Sequence, residues 1–227
     1  MTAMRALLVI LLCSAFGAAL VYAILQLPPQ AVDLPQQVSA NIDESGVAHP
    51  VTAVLLNFRG YDTMLEVAVL LLALLGVLAG TSVEKRRRAA GERPTLPLLR
   101  GFTRLIVPLM VLVAGYLLWA GSSMPGGAFQ AGAVVAGAGV LLHLARLLPA
   151  WATPNLMQRW GLAIGFLVFL AFAALPALQD GSTMLQYPLA WAGALILLIE
   201  AGLTLSLGLL LAGLFLCLSD DGMEFEK

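Results

Sequence analysis

The chain has 227 residues, 60% of them hydrophobic and 11% charged, with a formal net charge of −1 and a mean hydropathy of +0.93. Soluble domains carry about 25% charged residues, so this balance excludes an ordinary globular protein. The net charge of −1 gives no case for nucleic-acid binding, and an all-α polytopic membrane protein is the fold class that remains.

Six stretches fit the roughly 20-residue length of a membrane span: about 5–26, 64–82, 102–121, 128–148, 158–177 and 189–218. The first follows Arg5, in the manner of a secretory signal. Its apolar run, 6–25, is longer than the roughly 7–15 residues of a signal core, and Cys13 follows leucines rather than a small residue. It is read as the first membrane helix. Cys13 and Cys217 lie in apolar runs near opposite ends of the chain, where two small hydrophobes fit better than a disulfide or metal site.

Residues 26–49 form the longest polar stretch, with Pro28, Pro29, Pro35, Asp33, Asp43 and Glu44, and read as a loop outside the bilayer. Residues 50–61 are too short to span and suit an interfacial or re-entrant helix. Next comes Asn57-Phe-Arg-Gly-Tyr-Asp-Thr-Met-Leu-Glu66, leading directly into the apolar run 67–80. Charge at the mouth of a membrane helix has to be solvated, paired or used. Arg59, Asp62 and Glu66 stand at i, i+3 and i+7 and share one face if the segment is helical. Thr63 and Glu66 also fit a capping box, with Thr63 as N-cap. A structural ion pair and a functional polar cluster both remain open here.

The next linker carries Lys85-Arg86-Arg87-Arg88, Arg93 and Arg100, with Arg104 just inside the third span. Pro108 sits one turn further in and is expected to kink it. Eleven of the 12 Lys+Arg residues then fall on one side of the membrane and only Arg59 on the other. The positive-inside rule predicts both termini in the cytoplasm.

Between spans three and four, Ser122-Ser-Met-Pro-Gly-Gly-Ala-Phe-Gln-Ala-Gly132 reads as a tight turn at Pro125, Gly126 and Gly127. Gly132, Ala136 and Gly139 continue a small-residue face for close helix contact. Gln130 is placed to hydrogen-bond a neighbour or a water. His143, near the far end of span four, has a solvated reading beside that of a proton carrier. Glu200 lies about 16 Å along span six, near the bilayer centre. A carboxyl group at that depth costs about 3 kcal/mol on insertion scales. It is expected to face protein, protonated or hydrogen-bonded, as a proton or ion carrier or as a packing hydrogen bond. No nucleophile with its base, phosphate loop or metal-ligand cluster is present in the sequence, so no enzymatic role is expected.

The segment 57–66 resembles one near the C-terminus of the large subunit of Mrp-type cation/proton antiporters, and one in the small E subunit of membrane-bound hydrogenases. Pro125-Gly-Gly-Ala-Phe-Gln-Ala-Gly132 resembles a motif of the antiporter B subunit (Pro-Gly-Gly-Gly-Phe-x-Gly-Gly). Ile199-Glu200-Ala-Gly-Leu resembles that subunit's last helix. Ala128 and Ala131 depart from the usual glycines. The resemblance implies a hydrogenase-E-like two-helix unit over 1–82, a basic cytoplasmic linker at 83–101, a B-like four-helix domain at 102–218 and an acidic tail at 219–227. It further implies a cell (inner) membrane subunit of a multisubunit sodium/proton antiporter, without a cofactor. Its partners would be the other antiporter subunits, including complex-I-like proton-pumping ones. Glu200, Glu66, Asp62, Arg59 and His143 are its candidate path residues, and Pro125, Gly126, Gly127, Phe129, Gln130 and Gly132 its structural motif. The rival expectation is a membrane-arm subunit of a redox-driven pump such as an energy-converting hydrogenase.

Overall fold

The computed structural model describes residues 2–26, 33–80, 97–148, 155–178, 184–185 and 187–219. The basic run at 85–88, Arg93 and the acidic residues of the tail beyond 219 lie outside them. Every regular element among the described residues is helical. The chain divides into two compact units, 1–37 and 38–227.

The first unit holds α1 (Thr2–Leu25), apolar around its whole circumference, with a 19-residue stretch of mean hydropathy 2.6 over Leu7–Leu25. A helix without a polar face is suited to lipid or to a fully buried position. The helix α2 (Leu34–Asn41) begins with Asp33, whose Oδ1 accepts from the Gln36 N–H at 3.2 Å and satisfies a first-turn donor.

In the second unit a short turn, Ile42–Glu44, leads to buried Ser45, whose hydroxyl donates to the Ile42 carbonyl at 2.6 Å. The Ala48 and His49 N–H groups both donate to the Ser122 carbonyl, at 2.9 and 3.0 Å. Thr52 donates to the Gly121 carbonyl. The polar stretch is thereby fastened to the turn between the third and fourth spans. Thr52→Val, which keeps the volume and removes the donor, is expected to cost about 1 kcal/mol. In detergent it would lower the thermal midpoint by about 2–4 °C; an unchanged midpoint would show that the fastening carries no stability.

Residues 50–80 are helical but for one break: α3 (Pro50–Ala53), a wide π turn over Val54–Phe58, a non-helical Arg59 (φ −127°, ψ 34°), then α4 (Gly60–Gly80). The π turn is closed by Arg59 N–H donating to Val54 O at 2.8 Å. The expectation of a helix at 50–61 holds, but the capping box does not. The helix α4 begins three residues before Thr63, so Thr63 is already inside it. Its buried hydroxyl donates instead to the Leu55 carbonyl at 2.6 Å, one of the acceptors loosened by the π turn.

The remaining helices are α5 (Pro97–Ala120), α6 (Ala128–Leu144), α7 (Leu156–Ala174) and α8 (Leu189–Ser219). Asn155 and Gln158 form a reciprocal capping box on α7, a start signal the sequence reading passed over. Pro108 lies inside α5, which stays helical through it. Among the described residues five helices are long and apolar enough to cross a membrane, and α6 is a shorter apolar helix. Its 17 residues make it shorter than the span expected over 128–148. Arg146 is the reason: at φ +57° it closes a C-terminal cap, with its own N–H on His143 O and the Leu147 N–H on Leu142 O. Arg100, at the start of α5, donates to the Ala145 and Arg146 carbonyls at 3.1 and 3.2 Å, a cation placed where the helix dipole favours one.

At the centre stands α8, between α6 and α7, with α4 against α7 and α8 and α5 behind α6. Its Ile196, Ile199, Leu203, Leu207 and Leu210 are fully buried. Lipid is as apolar as these side chains, so small residues that let backbones approach hold such helices together. Gly132 fits beneath Leu207, Gly208 against Val135, and Gly165 against Gly202, Leu203 and Ser206. The small-residue face read at Gly132, Ala136 and Gly139 is therefore the contact with α8, where Gly139 meets Ala212.

Candidate ion-path site

Glu200 is 3% exposed, on the face of α8 that meets the start of α6. Its Oε1 accepts from the Ala128 N–H at 3.3 Å, the first helical residue of α6. The carboxyl group thus caps a neighbouring helix, at the end where N–H groups lack intrahelical acceptors and negative charge is favoured. Its Oε2 is buried with no hydrogen-bond partner among the described residues. A buried carboxyl oxygen left in that state costs about 1–3 kcal/mol. On the next turn of α8, Thr204 donates to the Glu200 carbonyl at 2.8 Å.

The Pro-Gly-Gly turn exists to bring α6 this close. The Gly127 N–H donates to Leu117 O at 2.8 Å, folding the loop back on α5. A side chain on Gly126 would strike that same carbonyl. Gly127 has φ +102° and ψ −173°, a conformation nearly restricted to glycine, and its missing Cβ leaves room for Glu200 Oε1. Pro125 and Gln130 are exposed.

A second polar group lies at the start of α4 and the turn before it. Arg59 and Asp62 form an ion pair with N–O 2.5 Å, on side chains 68% and 48% exposed. So accessible a pair is worth little stability in water. Arg59, Asp62 and Glu66 line one open groove of about 730 Å³ with Leu65, Val69, Leu70 and, from α6, Phe129. The three side chains share this groove, with Arg59 entering from the non-helical turn before α4 and not from the helix face that the i, i+3, i+7 spacing supposed, and Glu66 is exposed in it. His143 is in the last turn of α6, at the end away from Ala128. The helix rise sets these ends about 22 Å apart, so His143 joins neither group.

The hydrogen-bond donor to Glu200 was not visible to sequence reasoning, because it is a backbone N–H and not a side chain. Gly127 directly before an apolar helical run was the available signal.

An all-α polytopic membrane protein, with an acidic side chain buried between α8 and the start of α6, is the class that these features define. The chain belongs to the family described as "Domain related to MnhB subunit of Na+/H+ antiporter", which matches residues 98–217. It is thus a membrane subunit of the Mrp type. Its fold is similar to a chain of the membrane-bound sulfane sulfur reductase, an archaeal respiratory membrane complex (TM-score 0.69, 24% identity), covering 95% of this chain and 98% of that one. It is also similar to a chain of the Mrp complex from Dietzia sp. DQ12-45-1b (TM-score 0.65, 21% identity), covering 94% of this chain but 26% of that one. No curated protein sequence matches.

Proposed function

We propose that this chain works in a multisubunit monovalent cation/proton antiporter, with sodium as the cation, and that it carries part of the ion or proton path without covalent chemistry or a cofactor. The observation that carries this reading is Glu200. It is a carboxyl group buried mid-helix, held through one oxygen, with the other oxygen unpartnered among the described residues. Such a group can take up and release a proton or a desolvated cation with no backbone rearrangement. Glu66, Asp62 and Arg59 supply a polar mouth on α4, and His143 is an exit candidate at the opposite end of α6. The partners are the other antiporter subunits in a cell (inner) membrane, including complex-I-like proton-pumping ones, with both termini cytoplasmic by the distribution of arginine and lysine.

Glu200→Gln keeps the shape and loses the titrating proton. The expected result is normal complex assembly with cation/proton exchange lowered by about 100-fold, the scale of removing a proton-transfer group. Unchanged exchange in an intact complex would leave a scaffold as the role. The comparisons do not favour the alternative reading, a membrane-arm subunit of a redox-driven pump such as an energy-converting hydrogenase. Mild-detergent capture from native membranes separates the two: antiporter subunits alone support exchange, and iron–sulfur or nickel-site subunits support the redox machine.

A further inference from the structure

The start of α6 is capped in an unusual way, and Glu200 is part of it. A glutamine at the third helical position commonly completes a reciprocal box: the N-cap side chain bonds a first-turn N–H, and the glutamine reaches back to the N-cap N–H. Here the N-cap is Gly127, which has no side chain, and its own N–H is taken by the Leu117 carbonyl. The Glu200 carboxyl of α8 stands in for the missing cap, through Ala128. Gln130, at the third position of α6, brings its amide back toward the same spot. A Cβ built on Gly127 would meet first Glu200 Oε1 at 2.6 Å and then Gln130 Oε1 at 3.8 Å. A buried carboxyl and the amide of an exposed residue therefore face one small space, left open because position 127 is glycine. These distances hold the two oxygens within about 6 Å of each other, and one water with hydrogen bonds of about 2.8 Å to each bridges a gap of that order.

We propose that Gln130 is the residue through which Glu200 exchanges protons with the outside of the subunit, by way of one water held in the space at Gly127. An amide carries both donors and an acceptor. It can turn either toward the water, so the link serves the carboxyl with and without its proton. Glu200 has capacity for a further hydrogen bond, since Oε2 is buried with no partner among the described residues. The pair of side-chain oxygens suffices to pass a proton along hydrogen bonds. It falls short of the roughly six or more oxygens that hard cations gather. The assignment deepens the ion-path reading of Glu200 by naming the proton as what it carries, and it rests on that reading.

Cation/proton exchange by the assembled complex in everted membrane vesicles, with subunit content checked on native gels, tests it. Gln130→Met keeps the length of the side chain and removes the amide. It is expected to lower maximal exchange by about tenfold, less than Glu200→Gln does because water retains part of the link. The half-saturating sodium concentration is expected to stay unchanged. Gln130→Glu, which restores hydrogen-bonding oxygens, is expected to remain within about threefold of wild type. The two groups act in series, so Gln130→Met combined with Glu200→Gln is expected to be no slower than Glu200→Gln alone. Gln130→Leu replaces the methionine variant should that one assemble poorly. Exchange unchanged in Gln130→Met but lost in Glu200→Gln would overturn the link and leave the reading of Glu200 standing. Exchange unchanged in Glu200→Gln would overturn both. An equal loss in Gln130→Glu, a raised half-saturating sodium concentration or a further loss in the double variant would each overturn the proposal.

Discussion

Gly165→Val is expected to disrupt the bundle more than any other single substitution considered. A Cβ at Gly165 would lie 2.6 Å from Ser206 Cβ, 2.8 Å from the Gly202 carbonyl oxygen and 3.0 Å from Leu203 Cα. Two of these neighbours are backbone atoms of α8, which cannot turn aside as a side-chain tip does. The helices have to separate, and the separation reaches the Ser206 hydroxyl, which donates to the Leu162 carbonyl across the same contact. Overpacking of this kind costs about 3 kcal/mol or more. For a chain of this size that corresponds to a drop of roughly 10 °C in thermal midpoint. Size-exclusion chromatography after heating in detergent measures it. Gly115→Ala is the matched control, since nothing lies within 4 Å of its added Cβ, and helix propensity makes it neutral or slightly stabilising. Equal midpoints for the two variants would mean that close approach of α7 and α8 is not what holds the bundle.

Gly127→Ala is the second large effect, and it acts on the site. Two costs combine. The backbone at φ +102° and ψ −173° is in a region that alanine enters at about 1–3 kcal/mol. The new Cβ would also stand 2.6 Å from Glu200 Oε1. The carboxyl group has to move, and the Ala128 N–H loses its acceptor. The variant is expected to assemble less well and to lose exchange, with the loss shared between strain and clash. A double-mutant cycle separates them. Combined with Glu200→Ala, which removes the clash and keeps the strain, Gly127→Ala is expected to cost about 1 kcal/mol less than it does alone. Strict additivity would mean that the carboxyl group and the turn are not coupled.

Both substitutions mark where sequence reasoning stopped. The glycine-rich turn was visible in Pro125-Gly-Gly, and the acidic residue at depth was visible in Glu200, because a carboxyl group within a long apolar run is conspicuous. Nothing in the order of residues said that one sits against the other, 72 positions later. At Thr63 the local pattern misled. Thr-x-x-Glu matched a capping box, yet the helix had already begun, because Gly60 follows a π turn that leaves Leu55 O in need of a donor. Arg100, grouped with the basic linker by composition, closes the end of α6.

Apolar run length by itself determined the class of this protein, since about 20 residues of hydrocarbon-compatible side chain have few structural outcomes other than a membrane helix. Helical periodicity likewise placed Asp62 and Glu66 one turn apart on α4, whereas Arg59 joins them from the turn before that helix. Only the tertiary structure decided that α8 is the central helix, that α6 ends at Leu144, and that Glu200 is held by a backbone N–H of another helix. These are matters of which helix meets which. Within a membrane that choice turns on the close fit of small residues and on pairs of backbone groups, neither of which hydrophobicity encodes.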